Sequence, residues 1–117
     1  MFLDSGGKYE IEFYKDNGKM PVQLWINNLD YGNRFQIEAR LAKIRNGNLG
    51  DIKSVSDQIY ELRFFFGAGY RIYFALVDNR MILLLQGGNK NTQVRDIKIA
   101  KIRFIKYQSE KRYGIEE

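Results

Sequence analysis

The sequence predicts one α/β domain of the α+β type, ordered strand, two helices, three-stranded meander, helix. Three observations carry that expectation. Residues 8-KYEIEFY-14 alternate in polarity, as a half-buried strand does. The stretches 34–45 and 94–113 repeat apolar residues at helical spacing. Three apolar runs between Ile59 and Gln86 are separated by turn residues.

In the first strand Tyr9, Ile11 and Phe13 share one face, opposite Lys8, Glu10, Glu12 and Tyr14. The break 15-KDNGK-19 ends it. Pro21 suits the first turn of a helix through Leu29, because a helix start leaves that N–H unpaired anyway. Leu24, Trp25 and Leu29 lie close to one stripe. Asp30, Tyr31, Gly32 and Asn33 read as a hinge. A second helix from Arg34 to Arg45 presents Ile37, Leu41 and Ile44 at i, i+4 and i+7, with Gly47 placed to cap it. The short connection predicts an antiparallel helix pair. After the polar loop 46-NGNLGDIKSVSD-57 come strands 59–66, 70–77 and 81–86, joined by Gly67-Ala68-Gly69 and by Asp78-Asn79. Beyond 87-GGNKNTQ-93, a helix from Val94 to Tyr113 carries Ile97, Ala100, Phe104 and Tyr107 in one stripe, with Ile102 and Ile105 beside it.

At 117 residues, 44% hydrophobic and 15% aromatic, the chain is expected to form one domain with a real core over 1–117, residues 1–7 being a frayed end. No apolar run is long enough to span a bilayer, and the N-terminus lacks the basic-then-apolar pattern of a signal peptide. The absence of Cys and His excludes disulfides, the usual zinc sites, thiol nucleophiles and imidazole catalysis. Chemistry must then come from carboxylates, Lys, Arg, Tyr or Ser/Thr, and no clustered Asp/Glu motif suggests a metal site. Lys90 to Arg112 holds eight basic residues against Asp96 and Glu110. That excess suits a polyanion or an acidic partner, or is a solvated basic helix face.

If Gly67–Gly69 is a three-residue turn, Phe66 pairs with Tyr70, Phe65 with Arg71 and Arg63 with Tyr73. A two-residue Asp78-Asn79 turn then sets Arg71 opposite Gln86 and Tyr73 opposite Leu84. Arg63, Arg71, Tyr73 and Gln86 converge on one open face. Leu62, Phe64, Ile72, Phe74, Leu83 and Leu85 gather on the other, under the helix pair. A shorter first turn would drive Arg63 into the core at high cost. Two planar guanidinium forks suit a phosphate, and Tyr73 between them suits stacking on a base. Gly87 and Gly88 would let backbone N–H groups approach an anion, with Lys90 following. The structural alternative has Arg63 paired with Glu61 or a helix carboxylate and Arg71 edging the sheet.

The succession 47-GNLGDIKSV-55, 60-YELRF-64, 67-GAGYRIYF-74 and 84-LLQGGNKNTQVRDIKIAK-101, with Trp25 and the helix 34–45 before it, resembles the small toxins of type II toxin–antitoxin modules. These form the RelE/ParE superfamily, and the resemblance is to its HigB-like branch of addiction module killer proteins, over residues 8–110. It implies a RelE-like fold: a curved antiparallel sheet, two N-terminal helices on one face and a C-terminal helix. It also implies a bacterial cytoplasmic protein, neutralised by a helix-turn-helix antitoxin, that cuts mRNA on the ribosome without a metal or small-molecule cofactor. Arg71 matches the arginine of the family's GYR motif. Arg63 matches a basic position on the preceding strand, and Lys90 a basic residue that contacts the reacting phosphate. The position of a functional tyrosine in RelE falls near Asp96, so that role does not transfer. The histidines of some HigB toxins are absent.

The expected chemistry directs the substrate's own 2′-hydroxyl at the adjacent phosphate. Arg63 and Arg71 stabilise the growing charge, while Lys90 assists the leaving 5′-oxygen or accepts the 2′-proton. Asp96 is a second candidate base, or a stabiliser of the helix start. Tyr73, Gln86, Gln93, Lys98 and Lys101 are the expected RNA contacts. Two other expectations stand beside this one. The ParE branch inhibits DNA gyrase without catalysis, and an inactive toxin would retain only antitoxin binding.

Overall fold

Backbone pairing joins five strands into one sheet in the computed structural model, which describes residues 8–112; the expected fraying of 1–7 falls outside them. The elements are β1 (Glu10–Phe13), α1 (Pro21–Asn27), α2 (Tyr31–Arg45), β2 (Ile52–Ser56), β3 (Ile59–Arg63), β4 (Arg71–Val77), β5 (Met81–Gly88), a 3-10 turn (Lys90–Thr92) and α3 (Gln93–Arg112). The sheet order is β1-β5-β4-β3-β2. The mixed α+β class agrees with the sequence reading, and so does the element order apart from the added strand β2.

Two features of the sheet depart from it. β1 runs parallel to β5, Glu10 facing Met81, so the sheet is not wholly antiparallel. The stretch expected to be loop contains β2, which pairs with β3 across a bulge between Ser54 and Ser56. β2 is a short edge strand carrying Lys53 and two serines. Polar edges discourage pairing with other chains, and they also hide a strand from a hydrophobicity pattern.

The helices take both faces. On one side α1 and α2 bury Val22, Ile26, Ile37, Leu41 and Ile44 against Leu62, Phe64, Ile72, Phe74, Ile82 and Leu84. On the other, α3 lays Ala100 and Phe104, flanked by Ile97 and Tyr107, over Tyr14, Ile59, Tyr73, Ala75, Leu83 and Leu85. The α2 stripe and the main α3 stripe are thus as expected. Ile102 and Ile105 instead face solvent, and so does Leu24, because α1 turns Val22 and Ile26 inward. The expected hinge at 30–33 is the first turn of α2, with the Arg34 N–H donating to the Asp30 carbonyl at 2.9 Å. At its other end α2 closes on Gly47. With φ of +95°, Gly47 lets its own N–H reach the Ile44 carbonyl (2.8 Å) and the Asn48 N–H reach Lys43 (3.0 Å).

Both turn registers differ from expectation. Arg63 pairs with Arg71, and the Phe64 N–H donates to the Tyr70 carbonyl, so the connection is two residues longer than a Gly-Ala-Gly turn. A shift of two keeps parity, and Arg63 and Arg71 do share a face. At the next turn Asp78 and Asn79 both adopt positive φ, but the last pair is Val77 with Met81, leaving three residues between. That single extra residue reverses β5. Leu83 and Leu85 therefore lie under α3, and Ile82 and Leu84 take the places expected for them. A bulge between Tyr73 and Phe74 then sets Tyr73 opposite Gln86 and Arg71 opposite Gly88.

Candidate functional site

Alternation along β3 and β4 puts Glu61, Arg63, Arg71 and Tyr73 on the face that α3 approaches. The expected open surface is therefore largely roofed by the first turns of α3. Tyr73 is fully buried, and its hydroxyl donates to Glu61 Oε2 at 3.0 Å. Burial first, then the Glu61 carboxylate, pushes the Tyr73 phenol well above its ordinary range. Gln93, at the start of α3, donates from Nε2 to the same Glu61 oxygen at 3.1 Å. Arg71 Nε approaches it at 3.6 Å, and Arg71 Nη1 donates to the Gly69 carbonyl at 2.6 Å. Glu61 is only 2% exposed, so one buried carboxylate gathers three of the candidate residues.

Arg63 points to the edge instead. Its Nε and Nη2 grip both oxygens of Asp51, just before β2, at 2.9 and 3.2 Å. That hydrogen bond raises the Arg63 pKa. The carboxylate expected for Arg63, Glu61, belongs to Arg71. Two cations directly opposite on neighbouring strands repel, and these two carboxylates offset the repulsion.

A second polar cluster follows along the same face. Asp96 is fully buried, accepting from Gln86 Nε2 at 2.8 Å, from the Thr92 hydroxyl and from Arg95 Nη2 at 3.3 Å. Gln86 Oε1 in turn accepts from Arg103, whose Nη1 also reaches the Leu85 carbonyl at 2.8 Å. Burial lowers the Arg103 pKa. Asp96 thus fastens the helix start to β5 and is sealed from solvent.

The double glycine has a steric reason rather than the anion contact anticipated. A Cβ on Gly87 would lie 2.4 Å from the Trp25 ring, and one on Gly88 would lie 1.7 Å from Asp96 Oδ2. Successive residues of β5 face opposite ways, so each glycine admits a helix side chain against one face of the sheet.

Exposed cations gather beyond the end of the sheet where β4 begins and β5 stops. The Lys90 N–H donates to the Ala68 carbonyl at 3.3 Å, which brings Lys90 over the glycine loop. A Cβ on Gly69 would meet Arg71 Nη1 at 3.1 Å and Lys90 Cβ at 3.2 Å, so the two basic residues flank it. Lys90 and Lys98 line an open groove of 610 Å³ with Gln93 and Arg95, and Lys101 lies one turn further along the exposed side of α3. The structure therefore brings Arg71, Tyr73 and Gln93 together around Glu61. It joins Gln86 to Asp96, and leaves Lys90, Lys98 and Lys101 at the surface.

Asp51, Thr92 and Arg103 are the participants missed from the sequence, and Glu61 was foreseen only as a partner of Arg63. Glu61 left a signal, as the one carboxylate inside an apolar strand run. Arg103 also left one, since it falls within the Ala100, Phe104 and Tyr107 stripe at helical spacing.

No family model matches the chain. It is 44% identical over 79 residues to an uncharacterized protein of Haemophilus influenzae, an alignment covering 67% of this chain and 80% of that protein. With four-fifths of the relative covered at that identity, the chain belongs to the same family as this Haemophilus influenzae protein.

Proposed function

We propose that the chain is the toxin of a type II toxin–antitoxin module, a RelE-like, cytoplasmic endoribonuclease that cuts mRNA on the ribosome. The observation that carries this reading is that Arg71 and Lys90 flank Gly69 at the end of the sheet, with Arg63 directly opposite Arg71 on the neighbouring strand. A guanidinium and, on a flexible stem beside it, an ammonium are the donor types needed as charge builds on a pentacoordinate phosphorus. The attacking group is the neighbouring 2′-hydroxyl. Bond formation from that oxygen to phosphorus accompanies loss of the 5′-oxygen, and Lys90 supplies the leaving oxygen's proton. Glu61 and Asp96 are buried and already hold several donors, so in this reading the 2′-proton passes to solvent water at the exposed surface beside Lys90 rather than to a carboxylate. Such a site gains most from external positioning of the message, which the ribosome provides.

One observation favours a second reading. Each sheet arginine is already tied to a carboxylate, Arg63 to Asp51 and Arg71 to Glu61. In that case the arginines are structural, and the protein acts by contact alone, on gyrase or on its antitoxin. Expressing the protein and Arg71→Ala, while following growth, bulk translation and message 5′-ends against reading frame, separates the two. Codon-aligned cuts that fall at least a hundredfold in the variant support the nuclease. Intact messages with arrested replication, or with normal growth, sink it.

A further inference from the structure

Three aromatic rings stand in solvent on the α2 side of the β3–β4 connection. Phe65 is 77% exposed, Tyr31 72% and Phe35 59%. Tyr31 and Phe35, one helical turn apart, stack with centroids 6.4 Å apart. Phe35 and Phe65 line the same shallow groove of 290 Å³, whose walls include Lys43 and no carboxylate. The rings are interleaved with cations: the Arg34 guanidinium lies 5.7 Å from the Tyr31 ring centre, and that of Arg63 lies 5.5 Å from Phe65. None of these rings is needed by the core, and large aromatics left in water commonly mark a contact surface.

We infer that Phe65 and Phe35 form a stacking platform for single-stranded RNA, continuing the cationic edge at Arg63 onto the outer face of α2. The inference rests on the ribonuclease reading and extends it by naming the path of the strand beyond the cut. Base faces stack on aromatic rings regardless of sequence, while the phosphates between them need cations at similar intervals. The groove offers both. An apolar protein segment would use the rings but would leave Lys43 and Arg34 without partners of opposite charge. A nucleotide strand satisfies all of them. Arg63 links the two regions, being both the cross-strand partner of Arg71 and the cation over Phe65.

The test uses the full chain and a fluorescent single-stranded oligouridine whose 2′-oxygens are methylated, so that it binds without being cut. Phe35→Leu and Phe65→Leu keep apolar bulk but remove the π face. Each is expected to weaken binding about tenfold. Wild-type protein irradiated with a 4-thiouridine version is expected to crosslink within 31–43 and 64–66. Leucine variants that bind as tightly as wild type overturn the platform, and message cutting that persists in them leaves the ribonuclease reading in place. Affinity lost only on substitution by alanine also overturns it, since a merely apolar surface behaves that way. Wild-type protein with no measurable affinity for the oligomer removes the platform, and Arg71→Ala then decides separately on the nuclease.

Discussion

Tyr73 keeps its proton because α3 seals it from water and the Glu61 carboxylate stands beside its oxygen. The unfolded phenol ionises near its ordinary value of 10.0, whereas the folded one ionises later. Above about pH 10 the unfolded chain has released a proton that the native chain still holds, so stability falls as pH rises. Below that point the contribution is fully present. Urea midpoints are therefore expected to drop between about pH 9 and about pH 11. Tyr73→Phe should lessen the drop without removing it, because burial also raises Tyr14 and Tyr107. The variant should also lose about 1 kcal/mol at neutral pH, since Glu61 is left one donor short. Identical slopes in both proteins would show that Tyr73 ionises as a free phenol. At this scale the sequence was half legible. Alternation placed Arg71 and Tyr73 on one face, but nothing local to β4 says that a helix twenty residues further on covers them.

Among the elements, the join between α2 and the edge of the sheet depends on one side chain. Arg40 donates to the carbonyls of Leu49 at 3.1 Å, of Asp51 at 2.9 Å, and of Arg63, with its guanidinium 5.1 Å from the Phe64 ring centre. Burial lowers its pKa, the Asp51 charge partly opposing that shift. Arg40→Ala takes a donor from three carbonyls, of which that of Asp51 keeps the Arg63 N–H at 3.2 Å, and should cost about 2–3 kcal/mol, read as a lower denaturation midpoint at unchanged slope. Arg40→Lys should recover less than half of that, because a single ammonium cannot fork to three acceptors. A loss below about 0.5 kcal/mol for Arg40→Ala would mean that water replaces it freely. α2 and α3 were legible because their stripes are long and regular, whereas seven-residue α1 showed its start at Pro21 but not its inward face of Val22 and Ile26. β2 was not, being short and polar, and the β5 register was not, because turn length decides it. One residue more at Asp78–Arg80 exchanged the two faces of β5, a change that composition does not reveal.

For the molecule as a whole, β4 and β5 are covered on both faces, while β1 and β2 form the margins. The meander from β2 to β5 pairs neighbours in sequence, so its loops close at little entropic cost. β1 must find β5 across the whole intervening chain, through bonds such as Glu10 N–H to the Arg80 carbonyl and Tyr14 N–H to the Leu84 carbonyl, both 2.9 Å. Pulse-labelled hydrogen exchange during refolding should protect amides 72–75 and 82–85 before amides 11–13. Protection of β1 first, or together with β4, would refute that order. The sequence disclosed β1 itself, through its alternation, but not its mate, since strand pairing over such a distance leaves no local mark. A nascent polypeptide therefore emerges with Tyr9, Ile11 and Phe13 exposed, and their seat is missing until synthesis has passed Leu84, more than seventy residues later. Any product released before Met81 keeps an oily leading segment with nowhere to lie, which makes incomplete chains ready prey for quality-control proteases.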